Sequence, residues 1–455
     1  MVKANFNLND IIKVLEPENS HIVDPHLTNI KFGTDSRKLN KDQWFIALSG
    51  SSFDGHEFIP HVIEQGCTGI IIDNPQYFKD NTINCLLVKN TLDAYHRLAR
   101  HWLNQVRPVV IAITGSSGKT TTKEICSQLL VNISADTHKS ANNENNEYGV
   151  PKTIFNMDSN CKYLVVELAM RGLKQIEYLA KTVTPQYGII TNAGIAHIEL
   201  LGSKENIIKA KCELLEIMNQ SSIARLAVIG SHNPTLTEYA TEVYHKPLKV
   251  FADNSVNVIE SNAKYTKFLV DNIEYEMQSF GQAVLQDAWC VIQVLLDLGI
   301  DRTLIQQYLK LYSPLSGRGN KIINKAGTII IDESYNANPD SVKAAISSLL
   351  DKNVYNQSKK IVVLGQMAEL GDEAKALHEE VGCFLNESSI THVLTVGALA
   401  KYISDTISSK HIYRENLANW ENVREYLRSV CDDDTIVLIK GSRVAGLDKL
   451  VDALT

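Results

Sequence analysis

The stretch that most constrains this chain is Val109-Val110-Ile111-Ala112-Ile113-Thr114-Gly115-Ser116-Ser117-Gly118-Lys119-Thr120-Thr121-Thr122. A short apolar run bounded by a glycine turn reads as a strand buried on both faces. The residues from Lys119 onward open a helix. Such a strand–loop–helix unit points backbone N–H groups at a bound anion, and the helix N-terminus favours negative charge. In phosphate loops of this build the lysine reaches the β- and γ-phosphates and the next hydroxyl binds Mg²⁺. Lys119 and Thr120 hold those two positions, and Gly115, Ser116, Ser117, Gly118 and Thr121 complete the loop. Ile113 stands where the general pattern has its first glycine, so the loop is a shortened variant. The bland alternative, a Gly/Ser turn with a solvated lysine, does not account for the strand before it and the helix after it. By itself the loop fits a kinase, an ATPase or a ligase equally well.

The 455 residues leave room for two to four domains. Hydrophobic residues make up 44% and charged residues 21%, an ordinary globular balance. A net charge of -7 without a long run of like charge argues against a nucleic-acid partner or a polybasic membrane surface. The eight cysteines form no C-x-x-C pair and read as reduced, mostly buried thiols. Met1-Val2-Lys3-Ala4-Asn5-Phe6 opens no apolar signal stretch, and no apolar run reaches the ~18 residues of a membrane span. A cytoplasmic protein, without a membrane span, is the expectation.

Three blocks emerge along the chain. The first, residues 1–107, is a small mixed α/β domain with strands such as Trp44-Phe45-Ile46-Ala47-Leu48 and Gly69-Ile70-Ile71-Ile72, and it ends at Arg107-Pro108. The second, residues 108–314, alternates strands and helices, with strands at Tyr163-Leu164-Val165-Val166 and Tyr187-Gly188-Ile189-Ile190-Thr191-Asn192. This predicts a parallel sheet of the P-loop ATPase kind. The third, residues 315–455, has strands near 328–331, 361–364, 392–396 and 436–439 joined by helical stretches. It is expected to be a Rossmann-like, doubly wound α/β domain.

Three further residues invite chemistry. Glu167 closes one strand and His197 follows another, and in an open parallel sheet ligands bind beyond the carboxyl ends of strands. A carboxylate suits Mg²⁺. Lys211 lies in the helical stretch Ile207-Ile208-Lys209-Ala210-Lys211-Cys212-Glu213. Taken singly, each has a plain structural reading: a surface glutamate, a satisfied histidine, a solvated helix lysine.

Together with these residues, a series of segments resembles the Mur ligase family over nearly the whole chain. They are Thr34-Asp35-Ser36-Arg37, Asp54-Gly55-His56-Glu57-Phe58, the phosphate loop, Asn143-Glu144-Asn145-Asn146-Glu147-Tyr148-Gly149, Glu167-Leu168-Ala169-Met170-Arg171, Thr191-Asn192-Ala193-Gly194, Ala210-Lys211-Cys212-Glu213, Asp332-Glu333-Ser334-Tyr335-Asn336-Ala337-Asn338-Pro339-Asp340-Ser341, Glu369-Leu370-Gly371-Asp372 and Lys440-Gly441-Ser442-Arg443. The resemblance implies a ligase of cell-wall synthesis that uses ATP, with two Mg²⁺ ions, to join D-alanyl-D-alanine to UDP-N-acetylmuramoyl-tripeptide through an acyl phosphate. It implies that the first domain holds the UDP moiety, with Ser36 and Arg37 near the uracil end. The central domain would bind ATP, and the last would bind the adenosine side and D-alanyl-D-alanine.

By the same carry-over, Lys119, His197 and Lys211 are catalytic. Thr120 and Glu167 hold the Mg²⁺ on the phosphates, while His197 and Lys211 serve a second ion, Lys211 as a CO₂-derived carbamate. Asn145 and Asn146 face substrate or phosphates, Arg318 and Asp332 contact the nucleotide, and Tyr335 and Asn336 contact substrate. A monomer is the expectation. The chain departs from the family where Ala283, Val284 and Asp287 replace a His-Asn pair and a later Asn near the adenine, and at Asn142 and Ala169, where glycine is frequent. Three rivals stay open: another Mur-type ligase with a different amino acid or a folate substrate, a P-loop ATPase or kinase coupled to a partner, and a non-catalytic sensor.

Overall fold

A computed structural model describes the chain except for residues 1, 51, 79–81, 195–197, 263, 279–280, 352–354 and 356. The chain is mixed α/β with parallel sheets. Its contacts group it into two compact units, one of residues 1–112, 134–169 and 177–186, the other of residues 113–133, 170–176 and 187–455.

In the first unit, a five-stranded sheet runs in the order Asn19–His21, Asn84–Leu87, Gly69–Ile72, Trp44–Ile46, Phe32–Gly33. Its last four strands are parallel, and Asn19–His21 is an antiparallel edge. Gly69–Ile72 and Trp44–Ile46 are buried throughout, as unbroken apolar runs demand of a parallel sheet covered on both faces. The helix Thr91–Val106 begins where the Asn90 side chain accepts from the Asp93 N–H. It ends at Arg107 in the left-handed conformation, just before Pro108. This unit also holds the parallel pair Tyr163–Glu167 and Thr137–Lys139.

The second unit carries the phosphate-loop helix Lys119–Ile133 and the parallel strands Tyr187–Ile190, Leu226–Ile229 and Leu248–Val250. It also holds an antiparallel sheet, Asn257–Ser261, Thr266–Val270 and Ile273–Met277, that the strand–helix alternation of the sequence did not announce. Helix Lys204–Gln220 starts at a Ser203 cap and buries Lys211.

The C-terminal part of this unit is a six-stranded sheet ordered Asn320–Ile323, Ile329–Glu333, Thr435–Lys440, Lys359–Gly365, His392–Val396, Tyr413–Leu417. All pairs are parallel except the antiparallel edge strand Asn320–Ile323. Alternate residues feed two separate cores. Ile331, Val362, Leu364, Val393 and Leu438 pack on one, and Ile330, Ile361, Val363, Leu394 and Ile439 pack on the other. A period of two along each strand with both faces buried is the doubly wound arrangement expected from the sequence. Each such aliphatic side chain contributes roughly 1.5–3 kcal/mol.

The eight cysteines carry no disulfide; six are buried, Cys383 is exposed and Cys431 half-buried. No helix among the described residues is long and apolar enough to cross a membrane.

Candidate active site

The phosphate loop follows the strand Val109–Thr114 and heads the helix Lys119–Ile133. Two glycines give it its curvature. Gly115 has φ +152° and Gly118 φ +78°. A Cβ on Gly115 would stand 1.8 Å from Thr191 Oγ1, and one on Gly118 2.6 Å from Asp287 Oδ1, so only glycine fits either place.

The loop is braced by the residues that follow the strand Tyr187–Ile190. Asn192 accepts the Ser117 N–H at 3.0 Å through Oδ1 and donates its amide to Ser117 Oγ at 2.9 Å. The Asn192 carbonyl accepts the Ser116 N–H at 3.1 Å, and the Ser116 hydroxyl donates to Gly194 O at 3.1 Å. Thr191 and Asn192 were legible as the end of a strand but not as the loop's support. Such bracing holds the loop curved before any ligand arrives, which is what preorganised recognition of a polyanion requires. Thr120 and Thr121 lie half-buried on the first turn of the helix.

Lys119 Nζ donates to Gly115 O at 2.7 Å. Lys211 is almost fully buried, and burial, together with the nearby Lys119 ammonium, pushes its amine well below the ordinary lysine range, against a smaller opposing pull from Glu213. The plain reading of Lys211 as a solvated helix lysine is therefore wrong: the helix turns it inward.

Arg318 stacks over the Tyr335 ring, 4.0 Å from its centroid, and its guanidinium donates to Thr120 Oγ1 at 3.4 Å. Asp332 is buried and accepts four hydrogen bonds: Gly317 N at 2.6 Å, Ser316 Oγ at 3.1 Å, Ser334 N at 3.1 Å and Ser334 Oγ at 2.6 Å. These bonds fix the turn that presents Arg318. Asn336 is exposed. Its carbonyl accepts from Lys440 Nζ at 3.1 Å, and Lys440 also pairs with Glu333 at 2.9 Å. Within the second unit, then, Arg318 joins the phosphate loop at Thr120 to Tyr335 and to the turn held by Asp332, and Lys211 lies within the field of Lys119, whereas Asn336 is held separately by Lys440.

In the first unit, Glu167 is buried at the end of its strand, and the Asn145 amide donates to its Oε1 at 2.9 Å. Asn146 Oδ1 accepts from Gly149 N at 2.9 Å and Tyr148 N at 3.3 Å, which starts the helix Gly149–Phe155. His96, which the sequence did not single out, holds this loop from beneath: its Nε2 lies 2.7 Å from Glu147 O and its Nδ1 2.7 Å from Thr182 Oγ1. Burial pushes its pKa down to about 4, so the ring is neutral and Nε2–H is the donor to the carbonyl. Ser36 is buried. Arg37 is exposed and doubly bonded to Asp35 (2.9 and 3.0 Å); that bond holds the Asp35 carboxyl below its usual range. His197 lies outside the described residues.

Comparison with known proteins matches residues 30–103 to the Mur ligase family catalytic domain, residues 113–295 to the Mur ligase middle domain and residues 317–443 to the Mur ligase glutamate ligase domain. The chain belongs to the Mur ligase family, and it is a ligase. Within that family it is 30% identical, over 92% of each chain, to UDP-N-acetylmuramoyl-tripeptide–D-alanyl-D-alanine ligase of Bacillus subtilis. Among solved structures it is similar to MurF from Acinetobacter baumannii, with a TM-score of 0.87 and 26% identity over 100% of this chain and 99% of that one. It is also similar to MurF ligase from Thermotoga maritima in complex with ADP, with a TM-score of 0.82 and 27% identity over 93% and 96% of the two chains.

Proposed function

We propose that this ligase joins the tripeptide carboxyl of UDP-N-acetylmuramoyl-tripeptide to the amine of D-alanyl-D-alanine, with ATP cleaved to ADP and phosphate. The observation that carries the reading is the pairing of a glycine-only phosphate loop with the buried Lys211 amine beside Lys119, in a chain that aligns end to end with such ligases. The three family matches support a UDP-substrate domain over 1–107, an ATP domain over 108–314 and a nucleotide and D-alanyl-D-alanine domain over 315–455. The enzyme acts as a cytoplasmic monomer.

A carboxylate is a poor acyl donor and must be activated. Its oxygen attacks the γ-phosphorus, the bond to the β-phosphate oxygen breaks, and ADP leaves. The amine then attacks the acyl carbon of the resulting acyl phosphate, loses a proton, and expels inorganic phosphate. The chain's part is to position these groups and to balance charge. The Lys119 ammonium and the loop amides of 115–121 oppose the negative charge that gathers on the transferring phosphoryl group. Arg318, presented by Asp332, faces the nucleotide. Tyr335 and Asn336 contact the incoming dipeptide, Asn145 and Asn146 the substrate or phosphates, and Ser36 and Arg37 the uracil end.

The Thr120 hydroxyl and the Glu167 carboxylate are hard oxygen donors that suit Mg²⁺, which when bound neutralises phosphate charge. His197 and Lys211 are the residues for a second ion. A neutral buried amine is the form of lysine that adds to CO₂, giving a carbamate and a proton, and the chemistry of Lys211 fits that group.

Phosphate release, measured with each substrate omitted in turn and with the product weighed by mass spectrometry, tests the reading. Release that needs both substrates and yields a UDP-linked pentapeptide is expected. Release indifferent to both would make the chain an ATPase instead.

A further inference from the structure

The helix that carries the phosphate loop also grips, farther along, the segment that delivers Arg318. Gln128 lies half-buried in the helix Lys119–Ile133. Its amide meets both backbone groups of a single residue. Nε2 donates to the Ser313 carbonyl at 3.0 Å, and Oε1 accepts the Ser313 N–H at 3.1 Å. Farther along the segment, Arg318 donates to Thr120 Oγ1 at 3.4 Å, in the first turn of the same helix. At 1.5 Å of rise per residue, the two grips lie about 12 Å apart along the helix axis. Residues 313–318 therefore run back along the helix toward the phosphate loop, on their way from the helix Arg302–Leu309 to the strand Asn320–Ile323.

Little in that segment is free to turn. Ser313 precedes Pro314, and a residue before proline is biased to extended backbone, which points its N–H and C=O to one side, where one amide can meet both. Pro314 fixes its own φ. The Arg318 N–H then closes on the Leu315 carbonyl at 3.1 Å, a turn whose third residue is Gly317 at φ +76°, the place where such a turn needs glycine. A Cβ there would also stand 2.9 Å from Tyr335 Cβ. Asp332 accepts the Gly317 N–H at 2.6 Å and the Ser316 hydroxyl at 3.1 Å.

We propose that Gln128 is a positioning residue: by holding Ser313 it fixes the start of this stiff segment and so sets Arg318 on Thr120 at the head of the phosphate loop. Its amide is spent on Ser313, about two helical turns from the loop, so it acts on the nucleotide only through Arg318. With the grip released, Asp332 still holds the turn, but the end that leads into it swings, and Arg318 spends less time in place.

This role rests on the reading of Arg318 as a nucleotide contact. Hydrogen exchange of the ligand-free protein tests its mechanical half. Gln128→Ala brings in a strong helix former, so the variant is expected to fold. It is expected to speed exchange of the Gly317 and Arg318 amides about tenfold. Native rates at both amides overturn the proposal. Kinetics test the other half. Gln128→Ala is expected to raise the KM for ATP about fivefold, with a smaller change in kcat. Arg318→Ala is expected to raise KM further, and Gln128→Ala added to it is expected to change nothing more. Equal fold-changes from Gln128→Ala in the native and Arg318→Ala backgrounds would overturn the positioning role, because Gln128 would then act by another route. A native KM in Arg318→Ala would instead overturn the nucleotide reading, a failure distinct from that of the exchange experiment, which contains no nucleotide.

Discussion

Lys119 Nζ donates to the carbonyl oxygen of Gly115, 2.7 Å away, so the ammonium that reads as a phosphate ligand lies folded over its own loop. Phosphate oxygens would take over that hydrogen bond. Lys119→Ala is therefore expected to leave the fold intact, because the loop's curvature comes from Gly115, Gly118 and the Asn192 brace. Turnover is expected to fall by about 100-fold or more. A thermal melt beside single-turnover phosphate release checks both halves, and near-normal turnover in a folded variant would exclude the phosphate role.

Lys211 sits near Lys119 in a place that disfavours a second ammonium. Lys211→Ala is expected to cripple turnover and to recover part of it when a small carboxylic acid is added, which would supply the anion that a carbamate otherwise provides. Full activity without the acid would remove the carbamate from the mechanism.

Asn145 holds the Glu167 carboxylate by one hydrogen bond of 2.9 Å. Losing a bond to a charged acceptor costs roughly 1.5–3 kcal/mol. Asn145→Ala is expected to raise the Mg²⁺ concentration for half-maximal activity by about tenfold, and Glu167→Ala by more. A Mg²⁺ titration of both variants in which neither curve moves would separate these residues from the ion.

His96 gives a pH dependence of stability. Its pKa is depressed to about 4 in the folded chain from an ordinary 6.5, so between those values the unfolded chain binds the extra proton. Stability therefore is fully present above about 6.5 and falls as the pH drops toward 4, by about 3 kcal/mol in all. Denaturant midpoints of the native chain and of His96→Gln across that range measure it. An equally steep loss in the variant would place the acid sensitivity elsewhere.

Much of the fold was legible because it rests on local rules. The helix Pro339–Leu350 begins with Asn338 as N-cap, Pro339 in the first turn and Ser341 closing a capping box, so part of the Tyr335–Ser341 segment is a helix start as well as a family signature. The strands 359–365 and 435–440 announced themselves as short apolar runs, and a parallel sheet buried on both faces is the arrangement that uses every residue of such runs. The antiparallel sheet at 257–277 was not legible. Its first strand is largely exposed and lacks an apolar run, so its pairing is fixed by its neighbours and not by its own pattern.

Of the site, the sequence by itself determined what short-range sterics and chemistry determine: a loop that only glycine can form, and a lysine and a threonine at the head of a helix. Tertiary structure alone decided which side chains answer one another across long separations. Ser117 meets Asn192, 75 residues away, and His96 meets the carbonyl of Glu147, 51 residues away. Asp287 comes to rest under Gly118, and Lys211 is turned inward toward Lys119. The protonation states follow from those meetings, because burial and neighbouring charge set them, and neither is a property of a residue read in line with its neighbours in the chain.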